Sequence, residues 1–278
     1  MNITLVDHQG ATWSLDEKLY KGGFGTIYSC LNNSDVVIKT QPKSDDQLRK
    51  EECFYYDLRC TESSKYIPNI VTSGIANDLR FIVINRFPFD LHRFIQNINI
   101  SKQTRCTMAT QLLSALQFIH SFGYSHGDLK AHNVLVKSDG ADISLYITDF
   151  GLVHRFDNDG SHVPYIPGKL SKHRGTLPFI SEDSHIGVIP SRRSDLENMG
   201  WLLISSVFRG VLPWLKLNKS KVLKSKQDAK RTIEQSLKDM MQGQSHKRIL
   251  KYMRIVISMK YEESPDYEVL KEVFEVLC

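Results

Sequence analysis

His126-Gly127-Asp128-Leu129-Lys130-Ala131-His132-Asn133, the apolar run Val134-Leu135-Val136, a turn, a second apolar run Leu145-Tyr146-Ile147 and then Thr148-Asp149-Phe150-Gly151 form the stretch that decides the reading of this chain. Two short strands joined by a turn separate two polar loops. The first loop carries a carboxylate, a lysine and an amide within six residues, and the second carries another carboxylate. Hard oxygen donors beside a fixed cation make a phosphate-and-metal constellation.

Moving a phosphoryl group needs little covalent chemistry; the site must orient a hydroxyl, hold Mg²⁺ and neutralise charge. Asp128 is placed to accept the substrate hydroxyl's hydrogen bond and Lys130 to offset charge on the transferred phosphate. Asn133 and Asp149 are the candidate Mg²⁺ ligands. An Asp-x-Lys or an Asp-Phe-Gly alone recurs by chance, but the two in this order across a hairpin of this length resemble the catalytic and metal-binding loops of protein kinases.

Working outward, residues 11 to 41 read as three strands: Thr12 to Tyr20, Thr26 to Leu31, and Val36-Val37-Ile38-Lys39. Lys21-Gly22-Gly23-Phe24-Gly25 joins the first two, and its glycines let backbone approach phosphates. The kinase loop pattern asks for glycine at 20, 22 and 25. The chain keeps Gly22 and Gly25, has Tyr20 at the first position, and keeps the apolar Ile27 and the strand lysine Lys39. Asp45 to Cys60 has helical spacing, and either Glu51 or Glu52 could pair with Lys39.

Ile70 to Gly74 and Leu79 to Asn85 read as a further strand pair, leading through Arg86-Phe87-Pro88, the candidate hinge. Asp90 follows, as a ribose contact or a helix N-cap. Met108, Leu112, Leu116 and Ile119 mark an amphipathic helix over Lys102 to Phe122, ended by Gly123. A loop of about thirty residues after Gly151 is long enough to be functional. Ser194 to Phe208 reads as a helix capped by Ser194 with Glu197. Lys219 to Met241, His246 to Met259 and Ser264 to Leu277 read as three more, the last capped by Ser264-Pro265.

The chain has 278 residues, 41% hydrophobic and 24% charged, an ordinary globular composition without repeats or low-complexity tracts. Five cysteines without a C-x-x-C pair argue against a zinc site or disulfide framework and for a reducing compartment. Met1 to Asp7 lacks the pattern of a secretory signal, and Arg209 and Pro213 interrupt the longest apolar stretch, so no membrane association is expected. Lys216 to Arg254 carries twelve Lys/Arg and three Asp/Glu, a net +9 in a chain of net +5, leaving −4 elsewhere. That run is a solvated helix face or a surface for acidic partners.

Lys21 to Gly25, Glu51 to Tyr55, Tyr124 to Lys130, His162-Val163-Pro164, Gly175-Thr176-Leu177, Ser191 to Glu197 and Leu212-Pro213-Trp214 together resemble the vaccinia-related kinase family, a branch near casein kinase I, and the shortness of the chain its poxvirus members. The resemblance implies an α+β, two-lobed protein kinase fold. A small β-rich N-lobe with one helix (about 1–85) and a larger, mainly α-helical C-lobe (about 88–278) would form a single catalytic domain, 1–278, with ATP between the lobes.

The same resemblance selects Glu51 as the partner of Lys39 and places Tyr20, Lys21, Gly22, Gly23, Phe24, Gly25 and Ile27 over the nucleotide. It puts Ile84 behind the adenine, backbone groups of Asn85 and Phe87 on it, and Asp195 as a brace for the catalytic loop. It implies a serine/threonine kinase using ATP and Mg²⁺ on acidic protein substrates. The protein would be a monomer in the cytoplasm, that of the host cell if viral, with weak nucleic-acid association through Lys216–Arg254. The alternative is a pseudokinase that kept the fold as a scaffold. Besides Tyr20, the chain departs from common kinases in Ser181-Glu182-Asp183 for Ala-Pro-Glu and in Gly127 for the arginine before the catalytic aspartate.

Overall fold

The computed structural model describes residues 3–275 apart from 24, 59–64, 99, 141, 159 and 242–245. Phe24, Cys60 and Cys278 therefore lie outside the described residues. The chain divides into two compact units, Met1–Pro88 with Thr148–Val153, and Phe89–Ile147 with His154–Cys278.

The first unit is built on a six-stranded antiparallel sheet ordered β1-β2-β3-β4-β6-β5. Its strands are β1 (Thr4–Val6), β2 (Thr12–Gly22), β3 (Gly25–Cys30), β4 (Val36–Pro42), β5 (Ile70–Ala76) and β6 (Leu79–Asn85). The β-branched run of β4 pairs on both sides, with Ile27 and Ile82 opposite Lys39. Leu5, Leu15, Val36, Ile38, Phe81 and Val83 share one core. The β2–β3 hairpin closes with Gly22 opposite Gly25. Gly25 has φ +117°, and a Cβ there would stand 2.4 Å from the Thr40 carbonyl, so only glycine fits. Helix α1 (Gln47–Leu58) buries Leu48, Glu51, Phe54, Tyr55 and Leu58.

The second unit is mainly helical. Strand β7 (Phe89–Asp90) leads into α2 (Leu91–Asn97), and α3 (Lys102–Ser121) follows a Ser101 cap whose Oγ accepts the Thr104 N–H at 3.0 Å. Met108, Leu112, Leu116 and Ile119 are fully buried, as their spacing requires. After Gly123, at φ +75°, come β8 (Tyr124–Ser125), the hairpin β9 (Val134–Asp139) and β10 (Asp142–Ile147), and the short strands β11 (His154–Arg155), β12 (Asp157–Asn158) and β13 (Ser161–His162). The remaining helices are α4 (Glu182–Ile186), α5 (Arg192–Leu202) continued by a π-turn Leu203–Val207, α6 (Lys219–Arg231), α7 (Ile233–Met241), α8 (Lys247–Ser258) and α9 (Tyr267–Glu275).

Three expectations are corrected. The helix expected to start at Ser194 starts at Arg192, capped by Ser191, whose N–H is taken in return by the Ser194 hydroxyl at 3.2 Å. Glu197 caps nothing on its own helix; it accepts from Trp201 Nε1 at 3.2 Å and pairs with Lys230 at 3.2 Å. The expected helix Lys219–Met241 is two helices broken at Thr232, whose hydroxyl competes for the Asp228 carbonyl. Asp266, rather than Ser264-Pro265, caps the last helix, accepting the N–H groups of Glu268 and Val269 at 3.1 and 3.0 Å.

Among the described residues no helix is long and apolar enough to cross a membrane. Among the described residues Cys30, Cys53 and Cys106 are not in disulfides.

Candidate active site

In the first unit β4 carries Lys39 into the interior, where its Nζ lies 2.6 Å from Glu51 Oε2 and 2.7 Å from Asp149 Oδ1. Burial works against the ammonium, but the Asp149 and Glu51 carboxylates overcome it and hold its pKa above the usual lysine value. Glu51 is thus the partner of Lys39, and Glu52 turns to Arg80 and the Ser73 hydroxyl instead. Asp149 sits at φ +68°, a left-handed conformation that turns its carboxylate to Lys39 while the next side chain enters the core. Phe150 is fully buried, stacked on Phe54 at 4.1 Å and edge-on to Tyr55 at 5.4 Å.

The glycine hairpin leaves Tyr20 62% exposed, with its ring folded over Gly22: a Cβ on Gly22 would meet Tyr20 Cε1 at 2.6 Å. Lys21 and Gly23 are exposed, Ile27 and Phe87 half-buried and Ile84 buried. The N–H of Asn85 is held by the Asn69 carbonyl at 3.3 Å.

In the second unit, helix α3 delivers the catalytic-loop candidate. Asp128 is 2% exposed and engaged at both carboxylate oxygens: Oδ1 accepts the Thr176 N–H at 2.6 Å, and Oδ2 pairs with Lys130 Nζ at 2.8 Å. Asn133, itself buried, donates from Nδ2 to the Asp128 carbonyl at 3.0 Å, leaving Oδ1 as the oxygen it would offer a cation. The loop backbone is fixed from below by Asp195, which accepts the N–H groups of His126 and Gly127 at 2.7 and 2.9 Å and His120 Nε2 at 2.9 Å. Burial alone would raise the Asp195 pKa; the bond from His120 and the loop N–H groups hold it below the usual carboxylate range. His120 Nδ1 in turn meets the Tyr267 hydroxyl of α9.

Asp90 caps α2, its Oδ1 accepting the Arg93 N–H at 2.7 Å, and its Oδ2 lies 3.4 Å from His132 Nδ1. Among the described residues no cluster of three His, Cys, Asp or Glu side chains could hold a metal. Asp149 in the first unit and Asn133 in the second each carry a hard oxygen donor, a carboxylate and an amide, of the kind that suits Mg²⁺.

The long loop after Gly151 is less irregular than its sequence suggests. Phe156 stacks on His162 at 5.3 Å, His162 and Tyr165 meet Tyr261 edge-on at 4.8 and 5.1 Å, and the Arg192 guanidinium lies 4.5 Å over Phe156. No periodic signal marks these contacts in the sequence. His120 and Tyr267, on either side of Asp195's support, likewise carry no motif that would single them out.

These features agree with comparisons to known proteins. Residues 13–265 match the protein kinase domain model. Over 98% of its length, and 96% of the relative's, the chain is 32% identical to the B1 kinase of vaccinia virus (strain Copenhagen). It is 33% identical to the probable serine/threonine-protein kinase FPV212 of fowlpox virus, over 94% of this chain and 92% of that one. It is 31% identical to human serine/threonine-protein kinase VRK2, of which it spans 58%. The solved structure of vaccinia related kinase 3 superposes with a TM-score of 0.83 at 25% identity, covering 98% of this chain and 89% of that one. The chain belongs to the protein kinase family. Within it, it is a serine/threonine kinase of the vaccinia-related, poxvirus type, with the α+β fold of that class. Protein kinases as a family act on protein substrates with ATP and Mg²⁺.

Proposed function

We propose that the protein is an active kinase, transferring the γ-phosphoryl group of ATP to serine or threonine hydroxyls of proteins, rather than a pseudokinase. The observation that carries this is Lys39 bridging Glu51 and Asp149 at 2.6 and 2.7 Å, the ion pair that an active kinase requires. On this reading the two units act as one catalytic domain, 1–278. Tyr20 to Gly25, Ile27, Lys39, Glu51, Ile84, Asn85, Phe87 and Asp90 serve the nucleotide.

Asp128 accepts the hydrogen bond of the substrate hydroxyl and takes up its proton. The Thr176 N–H and Lys130 hold the carboxylate in one orientation, so the hydroxyl meets a fixed acceptor. Lys130 also offsets charge developing on the transferred phosphate. Asn133 and Asp149 are the residues that would hold Mg²⁺, which when bound offsets charge on the phosphate oxygens. Incubating the full chain with radiolabelled ATP, Mg²⁺ and casein tests the reading: incorporation that disappears in Asp149→Asn supports an enzyme, and none from the unaltered protein supports the scaffold.

The partners we propose are acidic protein substrates, with weak nucleic-acid association, drawn to the exposed Lys216, Lys219 and Lys221. Not all of the basic run is available for this: Lys226 is buried and Lys230 is paired with Glu182 and Glu197. Exposed attraction is screened over about 8 Å at physiological salt, so binding should weaken as salt rises and on charge reversal at these three lysines. We take the protein to act as a monomer in a reducing compartment, the host-cell cytoplasm in a viral setting.

A further inference from the structure

One lysine of the basic run behaves unlike the rest. Lys226, on α6, is 1% exposed, and its Nζ donates to the Ile180 carbonyl at 2.6 Å and to the Leu177 carbonyl at 3.4 Å. Its ammonium lies 5.6 Å over the Trp214 ring, and Trp214 Nε1 donates to the carbonyl between those two acceptors, Pro178, at 2.9 Å. Trp214 is itself fixed edge-on against Trp201 at 4.9 Å. Three carbonyls of one four-residue stretch are thus held by two side chains.

The other side of that stretch reaches Asp128. The Thr176 carbonyl accepts the N–H groups of Phe179 and Ile180 at 2.9 and 3.2 Å, which closes Thr176–Ile180 into a tight turn, and the Thr176 N–H donates to Asp128 Oδ1. Gly175, at φ +99°, seals the contact. A Cβ there would meet Ile180 Cγ2 at 2.7 Å, the Gly127 carbonyl at 3.0 Å and Asp128 Oδ1 at 3.1 Å. Little slack exists between Ile180 and the catalytic carboxylate, so a displaced Ile180 carbonyl is passed on to Asp128.

Packing alone does not explain a lysine here. Burial of the ammonium is costly, and its pKa is pulled down to about 7, with Lys230 on the same helix acting in the same direction and the Glu197 carboxylate of α5 against it. Among the described residues its Nζ makes no ion pair within bonding distance. An unbranched apolar side chain would fill the volume without that penalty, but would leave the Leu177 and Ile180 carbonyls without their donor.

We propose that Lys226 and Trp214 form a clamp that positions the turn Thr176–Ile180 against Asp128, making them positioning residues for the protein substrate. This rests on the kinase reading, in which the segment after Gly151 receives the substrate. The clamp belongs to the second unit, whereas most of the nucleotide-binding residues that the reading invokes belong to the first, so its loss acts on the protein substrate and not on ATP.

The experiment is steady-state kinetics of the full chain, Lys226→Met and Trp214→Phe with casein and ATP varied separately. Loss of a charge-assisted buried bond predicts a casein KM raised about tenfold or more in Lys226→Met, with a smaller rise in Trp214→Phe, and an ATP KM within about twofold of the unaltered protein. KM does not depend on the folded fraction, so a partly unfolded preparation still reports. If Lys226→Met does not fold, Trp214→Phe decides by the same split. Casein KM unchanged while kcat falls with the folded fraction would make both residues structural only, and a parallel rise in both KM values would equally overturn the clamp. No transfer by the unaltered protein would instead defeat the kinase reading, and the clamp with it.

Discussion

Asp195 Oδ1 accepts the backbone N–H of Gly127 at 2.9 Å, so a helix start fixes the residue that precedes Asp128 in sequence. The same carboxylate holds His126 N and His120 Nε2, and Asp195 is wholly buried. Asp195→Ala leaves three buried donors without an acceptor. It should destabilise the fold by about 3–5 kcal/mol and lower kcat in the fraction that remains folded, as read by urea denaturation and active-site-normalised turnover. An unchanged urea midpoint would contradict the bracing role.

Asp128→Ala and Lys39→Met should each reduce phosphate transfer at least about a hundredfold while circular dichroism stays native. On the proposed reading Asp128 acts at the hydroxyl and Lys39 at the nucleotide, so either loss is sufficient by itself. Near-normal turnover in folded Asp128→Ala would defeat the assignment.

Activity should not require phosphorylation of the segment after Gly151. Ordering by phosphate works through new arginine contacts, and Gly127 stands where the usual receptor arginine would be. Phe156 stacked on His162, with Tyr261 edge-on to His162 and Arg192 over Phe156, orders the same segment without a phosphate. Phosphatase-treated protein is expected to keep its rate; activity regained only on rephosphorylation would point to another receptor.

Acid should weaken the region around α4. His185 is buried, with its Nδ1 2.8 Å from His173 Nδ1, and burial first, then the charges of Lys226, His173 and Lys219, push its pKa down to about 3. The unfolded chain takes up a proton at this residue below its ordinary value of 6.5, and the folded chain does not until about 3. Stability from this group is therefore complete above 6.5 and is lost as pH falls toward 3. The urea midpoint should fall between pH 7 and 5 less steeply in His185→Gln than in the unaltered protein; identical slopes would show that His185 is not the titrating group.

Tyr20→Gly should change ATP affinity by less than about tenfold in either direction. The ring lies over Gly22 and is mostly exposed, and Gly22 and Gly25 are kept, so on the proposed reading phosphate contacts do not depend on it. Isothermal titration with ATP, alongside turnover, checks this. Activity that appears only after the substitution would mean that Tyr20 blocks the nucleotide and that the natural protein is the pseudokinase.

Much of the candidate site is legible in the linear chain because its parts are local. Asp128, Lys130 and Asn133 fall within six residues, Asp149 follows one hairpin, and the helix delivering them announces itself through Met108, Leu112, Leu116 and Ile119. Spacing of this kind is set by backbone geometry, which the sequence carries directly.

What the tertiary structure decided is which of several equivalent side chains faces inward. Glu51 and Glu52 are adjacent glutamates about 100° apart on one helix, and only the packing of α1 sends the first to Lys39 and the second to Arg80. Ser191 and Ser194 are both competent caps, and the choice follows where the chain enters α5. Lys226 is one of twelve basic residues in its run; charge counted along a sequence is blind to burial. Its partners Leu177 and Ile180 lie 49 and 46 residues away, and backbone carbonyls, common to every residue, leave no mark in the sequence.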